Sequence, residues 1–221
     1  MQGVGFRDRA EAGRLLAELL RGYAGRDDVI VLALPRGGVP VGYEVAKELG
    51  APLDVFMVRK LGVPRHAELA MGAIASGGVL VLDEDLIGSL GIGKEQVQQA
   101  IATELRELER REAAYRDGRN LPQLESKTVI LVDDGLATGA TMRAAALAVR
   151  EQRPARIVVA VPVAAAETCR ELRADADEIV CAATPRPFGA VGLWYEDFSQ
   201  TSDEEVRGLL ARAAEPAESS R

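Results

Sequence analysis

Histidine and cysteine are scarce in this chain of 221 residues, which has only His66, Cys169 and Cys181 of those two types. With one imidazole and two cysteines outside C-x-x-C spacing, a zinc site or a histidine-based catalytic triad is hard to assemble. Both cysteines are expected to be plain packing residues, since a free thiol usually behaves as a small buried hydrophobe. His66 sits in the polar run "GVPRHAEL" and reads either as a solvated loop residue or as a substrate contact in a mobile loop. Long apolar runs are also missing, and the start "MQGVGFRDRAEAG" is charged early and has no apolar signal core. A cytoplasmic protein with no membrane partner is therefore expected. Basic charge is outweighed, 27 Lys and Arg against 34 Asp and Glu for a net charge of -7, which argues against a broad surface for nucleic acid. A local basic pocket for a small anion remains compatible with that charge.

What is present is an ordinary globular composition, 48% hydrophobic and 28% charged. The length suits one domain, residues 1–221, with an insertion at about 60–126, a C-terminal hood at about 185–200 and a polar tail at about 214–221. Asp8 and Glu11 have capping-box spacing before Leu15, Leu16, Leu19 and Leu20, so an amphipathic helix is predicted up to Gly22–Gly25. "VIVLAL" (29–34) reads as a strand covered on both faces, and "VPVGYEVAKELG" as a helix closed by Gly50. "LDVFMVRK" and "TVILVDDG" read as further strands, the second leading into the helical "TMRAAALAVREQ". "ARIVVAVPVA", "AAETCRELRA" and "DEIVCAA" continue the alternation. The class is α/β: a central, mostly parallel sheet with helices on both faces. Two regions interrupt it. Residues 60–82 run from a polar stretch into "AMGAIASGGVLVL", where Gly77 and Gly78 suggest a hairpin turn. Residues 94–116 place Val97, Ile101, Leu105 and Leu108 on one helical face, favouring a packed helix with a solvated charged side over a partner-binding one. The scarce aromatics gather in the irregular "PRPFGAVGLWYEDF", and the tail "AEPAESSR" is expected to fray.

The segment "VILVDDGLATGATM" (129–142) carries the chemistry. In a parallel sheet ligands bind beyond the carboxyl ends of the strands, and Asp133 and Asp134 lie at such an end. The small residues Gly135 to Thr141 allow several backbone N–H groups to face one anion, and a helix starting near Gly139 adds its positive end. Thr138 and Thr141 can donate hydroxyl hydrogen bonds to the same group. An ATP-type P-loop does not fit, because the Gly135-to-Gly139 spacing is one short and no lysine follows. The carboxylates can accept hydrogen bonds from sugar hydroxyls or help hold a hydrated divalent cation, so phosphate plus diol points to a phosphorylated ribose. The plainer alternative is a turn that merely caps a helix.

This segment resembles, over its whole length, the phosphoribosyl-pyrophosphate-binding motif of the type I phosphoribosyltransferases. The likeness extends to the alternation over roughly residues 29–181, to "PRGG" after the first strand and to "RK" after the second. It implies that Asp133 and Asp134 hold the ribose 2- and 3-hydroxyls, with Mg²⁺ nearby, bound largely through ligand and water. It further implies that Ala137, Thr138, Gly139, Ala140 and Thr141 take the 5-phosphate. Arg36, Gly37 and Gly38 would form the pyrophosphate loop, often built with a cis peptide, and Arg59 and Lys60 would also face the pyrophosphate and begin a flexible loop, 60–68, that closes over the site. The reaction implied is transfer of phosphoribose from phosphoribosyl pyrophosphate to a nucleobase or similar small acceptor, with release of pyrophosphate. Hypoxanthine-type members carry an aspartate where this chain has Ala137, which puts a 6-oxopurine in doubt, and the N-terminal base-binding region of adenine-type members has no match here. Phe188, Trp194 or Tyr195 could stack on an acceptor ring or could plug a core edge. Two other functions stay open: a binding or regulatory protein that keeps the donor site, and an enzyme that transfers or hydrolyses pyrophosphate without any base. A homodimer is a candidate assembly.

Overall fold

The computed structural model describes residues 5–64, 66–116 and 121–215, so most of the expected polar tail lies outside the described residues. Five parallel strands form the main sheet, in the order β2-β1-β6-β7-β8, from β1 (Val29–Ala33), β2 (Leu53–Val55), β6 (Thr128–Val132), β7 (Arg156–Val163) and β8 (Glu178–Ala183). β1 and β6 are buried throughout, as their unbroken apolar runs require. Alternate side chains enter two cores. Val29, Val31, Ile130, Val132 and Val158 pack with α1 (Arg9–Leu19), α2 (Gly38–Leu49) and α7 (Asp203–Ala214). Ile30, Leu32, Val129, Leu131 and Ile157 pack with α5 (Ala140–Glu151) and α6 (Ala166–Glu171). Each fully buried aliphatic side chain contributes about 1.5–3 kcal/mol relative to exposure, and this double burial is what holds the sheet between its layers.

The local signals act as expected at several ends. Asp8 caps α1 by accepting from the Glu11 N–H at 2.8 Å, although Leu15 and Leu19 remain exposed while Leu16 and Leu20 are buried. Gly50, at φ 64°, closes α2.

A second, antiparallel sheet departs from the alternation: β3 (Val58–Val63), β4 (His66–Ala75) and β5 (Val79–Leu82), followed by α3 (Glu84–Ser89) and α4 (Lys94–Arg116). The single strand expected over "LDVFMVRK" is corrected to two strands in different sheets. β2 matches only Val31, Leu32 and Ala33 of β1, and past that edge Phe56 and Met57 turn into opposite cores. Most of the loop expected over 60–68 is corrected to strand, residues 60–63 on β3 and 66–68 on β4, while Arg65 lies outside the described residues. Lys60 pairs with Ala73, Leu61 with Gly72 and Val63 with His66, while Leu61 and Val63 are buried, so apolar residues two apart anchor a hairpin within a polar-looking run. The expected turn between two strands at Gly77 and Gly78 is present, both at positive φ, between β4 and β5. Along α4, Val97 and Leu108 are buried and Ile101 and Leu105 pack against the same core. Arg116 is buried at the end of α4 and donates to the Val55 carbonyl at 2.7 Å, with Asp54 and Glu112 carboxylates at 3.7 and 3.8 Å.

Cys169 and Cys181 are joined in a disulfide between α6 and β8, with Cα atoms 7.4 Å apart, which corrects the expectation of two plain packing thiols. The cause is topological, since α6 leads from β7 to its neighbour β8 and lays residues 12 apart in sequence against each other. Among the described residues no helix is long and apolar enough to cross a membrane.

Candidate functional site

The carboxyl ends of β1 and β6 lie side by side, and the two segments that carry the candidate chemistry leave from them. The Leu34 N–H donates to the Val132 carbonyl at 2.8 Å, and the Pro35–Arg36 peptide is cis. A Cβ on Gly38 would lie 2.7 Å from the Val132 oxygen and 3.0 Å from the Asp133 Cα. One on Gly37 would overlap the Asp134 carboxylate. Glycine is required at both positions because the "PRGG" backbone rests directly on the acidic pair. Arg36 is turned elsewhere: its guanidinium stands 3.7 Å from Asp203 on the first turn of α7, and Asp203 also accepts from the Tyr115 hydroxyl.

Asp133 and Asp134 are both half-buried. Asp133 accepts from the Asp134 N–H at 2.9 Å, and Asp134 accepts from Arg9 Nε at 2.8 Å. The Tyr195 hydroxyl donates to the Asp134 carbonyl at 2.6 Å. Burial, and then the neighbouring Asp134 charge, raise the Asp133 pKa well above its ordinary value. Burial also raises that of Asp134, against the opposing pull of Arg9. Two close, desolvated carboxylates disfavour joint ionisation, so hydroxyl donors or a cation entering between them would stabilise the charged form.

The loop after the pair is fixed at its base by the Leu136 N–H donating to the Val163 carbonyl and by the Ala165 N–H donating back to Leu136. α5 begins at Ala140, its N-cap Gly139 stands at φ 69°, and no side chain caps it. Its first-turn amides therefore have no partner within the helix, and Ala137, Thr138, Ala140 and Thr141 around them are exposed. Exposed amides at the positive end of a helix can receive an anion. Thr168 buttresses this loop from α6: its hydroxyl donates to the Ala137 carbonyl at 2.6 Å, and its methyl would sit 2.5 Å from a Cβ on Gly139.

Of the other sequence candidates, Tyr195 touches this cluster through the Asp134 carbonyl, whereas Arg59, Phe188 and Trp194 are engaged elsewhere. Arg59, on β3, is ion-paired with Glu104 of α4. Lys60 is exposed and lines a cavity of about 690 Å³ between the antiparallel sheet and α5, which also borders Ala140, Arg143 and Asp83. In the C-terminal segment Trp194 Nε1 donates to the Phe188 carbonyl at 2.9 Å, and Phe188 and Trp194 pack against the cluster of Phe6 and Tyr195. Tyr195 is 7% exposed, with its ring stacked on Phe198 and tilted against Phe6. Among the described residues no group of three or more His, Cys, Asp or Glu could hold a metal ion by itself. Arg9, Thr168 and Ser199 carry no signal in the sequence, because each reaches the site from a segment with no chemical motif of its own.

Residues 8–193 match the phosphoribosyl transferase domain family, and the chain belongs to the type I phosphoribosyltransferases. Two curated proteins from Mycobacterium tuberculosis strains CDC 1551 and H37Rv, each provisionally named a phosphoribosyl transferase, are 47% identical over 94% of this chain. The match covers 47% of their length, so the chain spans about half of those relatives. The crystal structure of the protein TT1426 from Thermus thermophilus is similar, with 43% identity, a TM-score of 0.86, and coverage of 96% of this chain and 100% of that one.

Proposed function

We propose that this protein binds phosphoribosyl pyrophosphate and transfers its phosphoribose to a nucleobase-like acceptor, releasing pyrophosphate. The observation that carries the reading is the direct packing of Gly37 and Gly38 on Asp133 and Asp134, beside the uncapped N-terminus of α5. Amides at 137–141, with the Thr138 and Thr141 hydroxyls, take the 5-phosphate. Asp133 and Asp134 accept from the ribose hydroxyls, and the Gly37 and Gly38 amides receive the pyrophosphate. Arg36 joins them by leaving Asp203, a rotation open to a half-exposed side chain held at 3.7 Å. The bond from the anomeric carbon to pyrophosphate breaks as one to an acceptor nitrogen forms, and the chain acts by positioning and by electrostatics.

Magnesium fits this donor set in one way. Asp133 and Asp134, the two close carboxylates at this site among the described residues, would be the protein contacts of a hydrated Mg²⁺. When bound it would neutralise charge on the departing pyrophosphate.

The internal pairing of Asp134 with Arg9, Arg36 with Asp203 and Arg59 with Glu104 favours a second reading, a binding protein that keeps the donor site without catalysis. Exchange of labelled pyrophosphate into the donor, across a panel of bases, separates the two. The donor site itself is tested by calorimetry with phosphoribosyl pyrophosphate and Mg²⁺. Asp133→Asn with Asp134→Asn should bind at least about tenfold more weakly, a loss of roughly 1.4 kcal/mol. Unchanged affinity would overturn the ribose assignment.

A further inference from the structure

Arg9 is the first residue of α1, where a positive charge opposes the helix dipole, and its side chain is only 11% exposed. A buried arginine in an unfavourable helical position needs partners elsewhere to account for it. It has them on three sides. Nε donates to Asp134 at 2.8 Å, Nη1 donates to the Ser199 carbonyl at 2.7 Å, and the guanidinium lies 4.0 Å from the centre of the Phe198 ring. Its Nε would stand 3.3 Å from a Cβ on Gly37, so the charge sits where the acidic pair and the "PRGG" loop meet. The segment that fixes Arg9 is itself fixed to the same carboxylate residue, through Tyr195 and the Asp134 carbonyl. Phe6, just before α1, exchanges backbone hydrogen bonds with this segment, donating to the Trp194 carbonyl and accepting from the Glu196 N–H.

From this geometry we infer that Arg9 is a positioning residue of the donor site, which orients the Asp134 carboxylate for the ribose hydroxyls and acts chiefly through Asp134. The inference rests on the donor-site reading above. It assigns a role to the N-terminal helix, which lies outside both candidate motifs. It also divides the acidic pair: Asp134 is oriented by a side chain from another element, whereas the Asp133 carboxylate accepts from the adjacent backbone.

The test is a double-mutant cycle read in ligand binding. Affinity for phosphoribosyl pyrophosphate with Mg²⁺ is measured on the full chain for wild type, Arg9→Met, Arg9→Lys, Asp134→Asn and Arg9→Met with Asp134→Asn. Inorganic phosphate serves as a separate probe of the loop at 137–141, and thermal unfolding is followed for each variant. Losing a charge-assisted hydrogen bond that aims the carboxylate should weaken donor binding of Arg9→Met roughly tenfold or more. Arg9→Lys should recover part of the loss, phosphate affinity should stay at the wild-type value, and Arg9→Met should add little once Asp134 is Asn. A purely structural role would lower thermal stability equally in both backgrounds and leave no coupling in donor affinity. Folded Arg9→Met with wild-type donor affinity, or the same loss with and without Asp134, would overturn the inference. So would phosphate affinity falling in step with donor affinity. If Arg9→Met does not fold, Arg9→Lys with and without Asp134→Asn is judged by the same criteria. Wild-type protein that fails to bind the donor would overturn the proposed function and this inference together, whereas the outcomes above overturn the inference alone.

Discussion

Alanine at position 139 should destabilise the protein by two separable effects. The backbone there stands at φ 69°, a left-handed conformation that costs a residue with a Cβ about 1–2 kcal/mol. The new methyl would also lie 2.5 Å from the Thr168 methyl, an overpacking contact of a kind that costs about 1–3 kcal/mol. Thr168 cannot rotate away freely, because its hydroxyl is bound to the Ala137 carbonyl and breaking that bond costs about 1 kcal/mol. The sum is about 2–5 kcal/mol, to be read from urea unfolding at unchanged m. Thr168→Ser keeps the hydroxyl and removes the methyl, so Gly139→Ala should cost less in that background, with only the backbone contribution remaining. Single and double variants that add to within about 0.3–0.5 kcal/mol would refute the reasoning, since that is the behaviour of independent sites. A Gly139→Ala variant as stable as wild type would refute it too.

The remaining predictions concern polar groups wholly or partly shielded from water. Asp133→Asn keeps the acceptor for the Asp134 N–H but removes a carboxylate whose pKa is raised by burial and by Asp134. A raised folded-state pKa penalises the wild type above the ordinary carboxylate value near ~3.9, so the variant should be the more stable protein at pH 8. That advantage should shrink as pH falls through the raised pKa toward about 4, and a gap independent of pH in urea unfolding would contradict the assignment. Tyr195→Phe removes the donor to the Asp134 carbonyl and should cost about 1–3 kcal/mol in stability; a loss within experimental error would place that carbonyl in contact with water. Arg116→Met leaves the Asp54 and Glu112 carboxylates without their buried cation, so a loss of about 3–5 kcal/mol is expected in thermal or urea unfolding. A neutral outcome would mean that the cluster is not desolvated.

What could be read along the chain was whatever depends on near neighbours. The unbroken apolar runs of β1 and β6 implied strands buried on both faces, and Asp8, Gly50 and the pair Gly77–Gly78 marked ends and turns, because caps and turns are settled within a few residues. The start of α5 beside Gly139 was legible for the same reason. Two misreadings share a cause. "LDVFMVRK" looks like one strand until the length of β1 limits its pairing, and 60–68 looks like a loop until Leu61 and Val63 find a core.

The tertiary structure decided the partners of the charged and thiol groups. Arg9 and Asp134 are 125 positions apart, and Arg59 and Glu104 are 45 apart. Cys169 and Cys181, separated by only 12, still meet only because α6 folds back over β8. A side chain's local sequence determines its charge, its hydrogen-bonding capacity and the face of the element it occupies. Which opposite charge it meets depends on strand order and on which helices share a layer, since burial makes an unpaired charge costly and the topology determines which partners lie within reach.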